Sequence, residues 1–233
     1  MLENLLRKYQ PTFHPVVPFD VNNDKLLLLD FTSQNKTLTE EIFNDTKKFS
    51  LYINQQLQQV HAKYGIGGYN EHRTIYSRST SFDSYDSEEP RRLHLGIDIW
   101  GEAGTPVFAP MGGMVYSFAF NNSFGDYGAT IILLHQLDGI AFYTLYGHVS
   151  LKDISLLTEG SYVNIGQEFA HFGLPYENGQ WPPHLHFQVI AEMEFNKGDY
   201  TGVCKYSERE KYLTNCPDPD LILQMMQYAI NNK

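Results

Sequence analysis

Three short runs of this 233-residue chain carry side chains suited to one kind of chemistry. The first is His94-Leu95-Gly96-Ile97-Asp98, where an imidazole and a carboxylate four residues apart can converge if the backbone turns at the glycine. The second is His184-Leu185-His186, followed by the β-prone Phe187-Gln188-Val189-Ile190, so that residues 184 and 186 share one face of a strand. Paired imidazoles on one face are expensive as core filling, because each has two ring nitrogens that need partners. The third is Tyr146-Gly147-His148, closing the apolar run Phe142 to Leu145. A hydrolytic zinc site needs three protein ligands and an open position, together with groups that take and return a proton. His94, Asp98 and one of the paired histidines supply such ligands; the other of the pair and His148 supply the proton handling.

Other chemistries lack their residues. No HExxH is present, which removes the helical zincin arrangement, and no GxSxG marks a nucleophile elbow. Two cysteines, Cys204 and Cys216, form neither a CxxC pair nor a disulfide framework, and free thiols are expected. Seventeen basic against 27 acidic residues give a net charge of −10 with no Lys/Arg cluster, so neither nucleic acid nor an anionic membrane surface is an expected partner. Apolar runs such as Leu26 to Leu29 are far too short for a membrane span. The first residues lack the basic and apolar regions of a secretory signal, so a cytoplasmic location is expected as the sequence stands; the alternative is an exported form with its signal removed.

The elements that must position these residues are mostly strands. Between Leu93 and Ile190 short β-rich runs (Val107–Ala109, Gly113–Phe120, Thr130–His135, Ala141–Tyr146, Tyr162–Val163, Leu185–Ile190) alternate with turns at Gly112-Gly113, Asp138-Gly139 and Glu159-Gly160. The fold class expected is mainly β (α+β), an antiparallel sheet or sandwich flanked by N-terminal and C-terminal helices. Leu26 to Phe31 reads as a short buried strand within an otherwise irregular lead-in. A helix follows, opened by a Thr37/Glu40 capping box, with Ile42, Phe49, Ile53, Leu57 and Val60 on one face and Gly65 as its left-handed cap. The serine-dotted stretch from Gly65 to Pro90 reads as extended segments and loops. A closing helix is expected after Pro217, capped by Asp218 or Asp220. This gives three regions: residues 1–90 as an N-terminal extension packed on the core, 91–195 as the β domain, and 196–233 as a C-terminal extension ending in a helix.

In their order and rough spacing, His94-xxx-Asp98, Tyr146-x-His148 and His184-x-His186 resemble the signature of the lysostaphin/LytM-type zinc metallopeptidases. Gly104-Thr105-Pro106-Val107-Phe108-Ala109 with Gly113-Met114-Val115, Tyr127-Gly128 to His135, and Glu159-Gly160 through Val163 to Gly166-Gln167 and Gly173 are similar to further stretches of that family. The resemblance covers about residues 90–190. It implies a metallopeptidase β core with one zinc ion per chain held by His94, Asp98 and His186. His184 would be the general base and His148 the group supporting the oxyanion or leaving group. His135 matches a histidine outside the ligand set and is read as structural. The implied activity is a zinc-dependent endopeptidase acting on peptides, chiefly peptidoglycan-derived ones. Tyr69–Tyr76 and Cys216–Asp220 look similar to a branch of the family without export signals. The alternative is a non-proteolytic binding or scaffold protein that retains the metal and acts on a partner domain. A biotinyl or lipoyl carrier, suggested by the GxxVxxGQ turn, lacks its attachment lysine at Met111-Gly112-Gly113-Met114.

Overall fold

The computed structural model describes residues 1–83 and 89–231; Ser84 and Ser87 of the serine-dotted stretch lie outside them. The chain enters through helix α1 (Leu2–Tyr9), strand β1 (Leu26–Leu28), and helices α2 (Glu40–Phe43) and α3 (Thr46–Val60). Strands β2 (Tyr64–Gly67) and β3 (Glu71–His72) lead to β4 (Leu93–His94), β5 (Ile97–Trp100) and β6 (Pro106–Phe108). Then come β7 (Gly113–Asn121), β8 (Gly128–Leu137) and β9 (Ile140–Val149), a meander whose turns include Asp138-Gly139, both at positive φ. After α4 (Leu151–Ile154) follow β10 (Tyr162–Val163), β11 (Glu168–His171), β12 (His184–Ile190), β13 (Val203–Cys204), α5 (Arg209–Asn215), α6 (Asp220–Leu223) and β14 (Ala229–Asn231).

Among the described residues, nine strands make one sheet in the order β10-β7-β8-β9-β12-β5-β2-β1-β14. It is antiparallel from β10 to β2, and β1 then runs parallel to both β2 and β14. The mainly β architecture with flanking helices is therefore as expected. The first 90 residues supply two of the sheet's own strands and are not merely laid upon it.

Helix α3 packs Phe49, Ile53 and Leu57 into a cluster with Leu27, Leu29, Phe31, Trp100 and Trp181. Burying each such side chain contributes about 1.5–3 kcal/mol, which fixes the helix against the sheet. The two tryptophans of this cluster also border the site described below.

Several local readings need correction. The Thr37/Glu40 capping box does not form: the Thr37 hydroxyl donates to Asn35 Oδ1. The helix is broken at Asn44-Asp45, and Asp45 caps α3 by accepting from the backbone N–H of Lys47 and Lys48 at 2.8 and 3.1 Å. An ionised carboxylate at the cap suits the positive end of the helix dipole. His61, at φ 54°, is the left-handed residue that ends α3, while Gly65 lies in β2. A Cβ at 65 would collide with Leu29, so that glycine serves strand packing. The helix expected at the C-terminal end lasts one turn. Gln224 adopts φ 52° and stops it, and the chain turns into β14, whose unsatisfied strand edge is filled by β1. Helix α1 was not anticipated in the lead-in.

Candidate metal centre

Register brings the ligand-type residues together. On β12, His186 lies opposite Asp98 of β5 and His184 opposite Trp100, so strand alternation puts all four side chains on one face. His184 stacks on Trp100 with ring centroids 3.8 Å apart and 11° between planes. On the other flank His186 faces Gly147 of β9. A side chain at 147 would strike the Tyr127 ring, so the glycine makes room for that tyrosine. Gly96 serves in the same way: a Cβ there would lie 2.6 Å from His186 Nε2.

His148 reaches the site by breaking alternation. Tyr146 packs on Phe187 and Phe169 beneath the sheet, and a regular strand would send residue 148 the same way. An irregularity in the β8–β9 register and φ 64° at His148 turn its ring to the other face. There it lies 4.1 Å, centroid to centroid, from His184. A non-glycine residue held at positive φ beside a cavity is backbone strain retained at a candidate site.

The hydrogen bonds fix which nitrogen of each ring carries its proton, because a carbonyl or amide oxygen can only accept. His94 donates from Nδ1 to Gly68 O at 3.0 Å, which leaves Nε2 bare. His186 donates from Nε2 to Gln188 Oε1 at 2.9 Å, which leaves Nδ1 bare. Asp98 Oδ2 accepts from Arg73 Nη1, leaving Oδ1. These three bare acceptors face one another: His94 Nε2 to His186 Nδ1 is 2.9 Å, His186 Nδ1 to Asp98 Oδ1 is 3.0 Å, and His94 Nε2 to Asp98 Oδ1 is 3.3 Å. With metal–ligand bonds of about 2.0–2.2 Å, ligand atoms at tetrahedral angles stand about 3.3 Å apart. Three converging lone pairs repel unless a cation lies among them, so the donor set fits a zinc ion.

The neighbouring pair is held through Nδ1, as His94 is. His184 donates from Nδ1 to Pro182 O and His148 from Nδ1 to Asn178 O, each at 2.8 Å, so Nε2 is the lone-pair nitrogen of both. Burial pushes His184 down to about 4 and, reinforced by His184 beside it, holds His148 well below the usual histidine range. Burial and then the Arg73 charge lower His94 to about 3. Burial alone would raise the Asp98 carboxyl, but its surroundings, the Arg73 charge among them, hold it well below its ordinary value.

His148, His184, His186 and Asp98 line a cavity of about 150 Å³. Its other walls include Tyr127 and Trp181 and, from the N-terminal segment, Ile75, Tyr76 and Phe82. Five of the expected residues, His94, Asp98, His148, His184 and His186, are thus gathered within one constellation. Histidines 14, 61, 72, 135 and 171 stand outside it; His135, for instance, lies between Gly112 O and the Thr144 hydroxyl. Cys204 and Cys216 are buried and unbridged.

Several residues at the site had not been singled out. Gln188, which orients His186, follows from the same two-residue alternation that pairs 184 with 186. Tyr127, whose hydroxyl is 3.3 Å from His186 Nε2, stands in a quoted motif that assigns it no role at the site. Arg73 also stood in a quoted segment, with no spacing signal tying it to Asp98. Among the described residues no helix is long and apolar enough to cross a membrane.

Residues 92–198 match peptidase family M23. A lipoprotein NlpD/LppB homologue of Pseudomonas aeruginosa is 34% identical over 98 residues, which are 42% of this chain and 29% of that protein; the chain thus spans under a third of this curated relative. Among solved structures, the catalytic domain of the antimicrobial peptidase lysostaphin from Staphylococcus simulans is similar at 20% identity, covering 71% of this chain and 98% of that one with a TM-score of 0.41. A zinc-containing peptidase from Vibrio cholerae is similar at 24% identity, over 46% of this chain and 30% of that one, with a TM-score of 0.35. The histidine and aspartate runs that form the constellation all fall inside residues 92–198, the segment that is similar to peptidase family M23.

Proposed function

We propose that this protein is a zinc-dependent endopeptidase that hydrolyses peptide bonds, with peptidoglycan-type peptides as its substrates. The observation that carries the reading is the convergence of three bare acceptors, His94 Nε2, Asp98 Oδ1 and His186 Nδ1, beside two imidazoles, His148 and His184, that line the same cavity with Nε2 as their lone-pair nitrogen. His94, Asp98 and His186 would hold one zinc ion, which when bound supplies Lewis acidity and lowers the pKa of water to about 7.

The chain's own residues perform the remaining tasks. Burial keeps His184 neutral, and its bond to Pro182 O aims the Nε2 lone pair, so it accepts a proton from the attacking water. His148, its Nδ1–H held by Asn178 O, is the second imidazole within reach; only after Nε2 has taken up a proton does it stabilise the oxyanion or pass that proton to the departing amine. The walls of Tyr76, Trp181 and Tyr127 exclude bulk water and so strengthen each of these interactions.

The domain division proposed with this function places the peptidase unit at residues 91–195, with 1–90 and 196–233 as extensions built onto it. Digestion of purified muropeptides, pentaglycine and a mixed peptide library, read by mass spectrometry with and without a chelator, tests the activity. Cleavage of muropeptides or pentaglycine that the chelator abolishes is expected. Cleavage that survives complete zinc removal, or none of any substrate by zinc-loaded protein, would overturn it.

A further inference from the structure

Arg73 lies outside the matched segment and is wholly buried, yet it touches the centre of the site. Its Nη1 donates to Asp98 Oδ2, and its Nε donates to Glu71 Oε2 at 2.6 Å. The guanidinium packs over the Phe31 ring at 5.2 Å, and the backbone N–H of Arg73 is tied to Arg92 O at 2.9 Å. Gly67 lies against the same group: a Cβ there would meet Arg73 Nη2 at 3.5 Å and Leu29 O at 2.8 Å. A buried guanidinium is expensive, and this one leaves Nη2 without a hydrogen-bond partner among the described residues, but carboxylates grip it from two sides and an aromatic face covers it, which fixes its position.

The consequence falls on Asp98. A free carboxylate offers two equivalent oxygens and can rotate, bind a cation through both, or turn towards a histidine. Here Oδ2 is claimed by the guanidinium, and only Oδ1 remains for the position shared by His94 and His186. We infer that Arg73 is a positioning residue of the metal centre, which holds Asp98 as a single-oxygen ligand, and that Glu71 anchors Arg73 for this task. The inference rests on the zinc site proposed above. It makes the segment from Glu71 to Arg73 a working part of the centre and not only a covering wall.

Zinc affinity of the full-length protein, measured by competition with a chromophoric chelator, tests this, with the visible spectrum of the cobalt-loaded form as a second readout. Outer partners of metal ligands are typically worth 10–100-fold in affinity. Arg73→Lys keeps the charge but cannot reproduce the planar fork, so zinc should bind about 10-fold more weakly, and Arg73→Met about 100-fold. The cobalt spectrum should shift in both as the carboxylate changes its mode of binding. A purely structural arginine would lower the melting temperature of the zinc-free and zinc-loaded forms equally. Folded Arg73→Lys with wild-type zinc affinity and an unchanged cobalt spectrum would overturn the inference while leaving the zinc site standing. Wild-type protein that takes up neither metal would overturn the zinc site and this inference together. Should the Arg73 variants fail to fold, Glu71→Gln decides, since it removes only the anchor: several-fold weaker zinc binding supports the inference and unchanged affinity refutes it.

Discussion

His135 gives a sharp test of how these buried histidines are held. Its Nδ1 is 3.0 Å from Gly112 O and its Nε2 is 2.7 Å from the Thr144 hydroxyl, far from the ligand cluster. Burial pushes its pKa down to about 4, against about 6.5 in an unfolded chain. Between those values the unfolded state binds a proton that the folded state refuses, so stability rises with pH across the window and is lost as pH falls through it. Above pH 6.5 both states are neutral and the residue contributes no pH dependence; below pH 4 both are protonated and the loss is complete. A difference of about 2.5 units corresponds to about 3 kcal/mol. Other buried histidines titrate as well, so the informative quantity is the difference between wild type and His135→Gln, which cancels them. Urea unfolding of both proteins at pH 7.5 and pH 4 should show the wild type losing about 3 kcal/mol more than the variant. Zinc uptake at neutral pH should be the same in both. A stability difference independent of pH would refute the assignment of His135 as a neutral, structural histidine.

Gly96→Ala should displace the His186 ring, because the new methyl would overlap it and also lie 2.8 Å from Phe187 O; zinc affinity, measured by chelator competition, should fall while thermal stability drops by about 1–3 kcal/mol. Asp45→Ala removes the cap of α3 and should cost about 1 kcal/mol in urea unfolding without changing zinc binding. His148→Ala should keep the zinc and lose about 10²–10⁴-fold in turnover on whichever peptide the wild type cleaves, checked by steady-state rates beside metal analysis.

The strands that carry the chemistry were legible because both signals used to find them are local. Alternation in His184-Leu185-His186 gives a shared face, and β-branched runs bounded by Gly112-Gly113 and Asp138-Gly139 give the meander. The ends of the chain were less legible because their structure is decided elsewhere. Leu221, Ile222 and Met225 have helical spacing, yet the vacant edge of β1 draws residues 229–231 into a strand. At α3, Thr37 and Glu40 have capping-box spacing, but an aspartate nearer the helix outcompetes them. The site shows the same division. His94, Asp98 and the His184/His186 pair could be picked out because their spacing is short, and the choice of His186 as ligand came only from the resemblance. Arg73 could not, because it meets Asp98 only after β2 has paired with β5 and delivered the following turn. The turn of His148 towards the cavity also depends on tertiary structure, through the β8–β9 irregularity, and no property of Tyr146-Gly147-His148 alone specifies it.

The central claim is that one of two adjacent same-face histidines binds zinc and the other moves a proton. Elemental analysis of the wild type, His184→Ala and His186→Ala, with peptide hydrolysis measured on the same samples, tests it most directly. The predicted result is one zinc per chain in the wild type and in His184→Ala, none in His186→Ala, and turnover reduced by about 10²–10⁴-fold in His184→Ala. Wild-type protein that takes up no zinc, or equal loss of zinc in the two variants, would contradict the account.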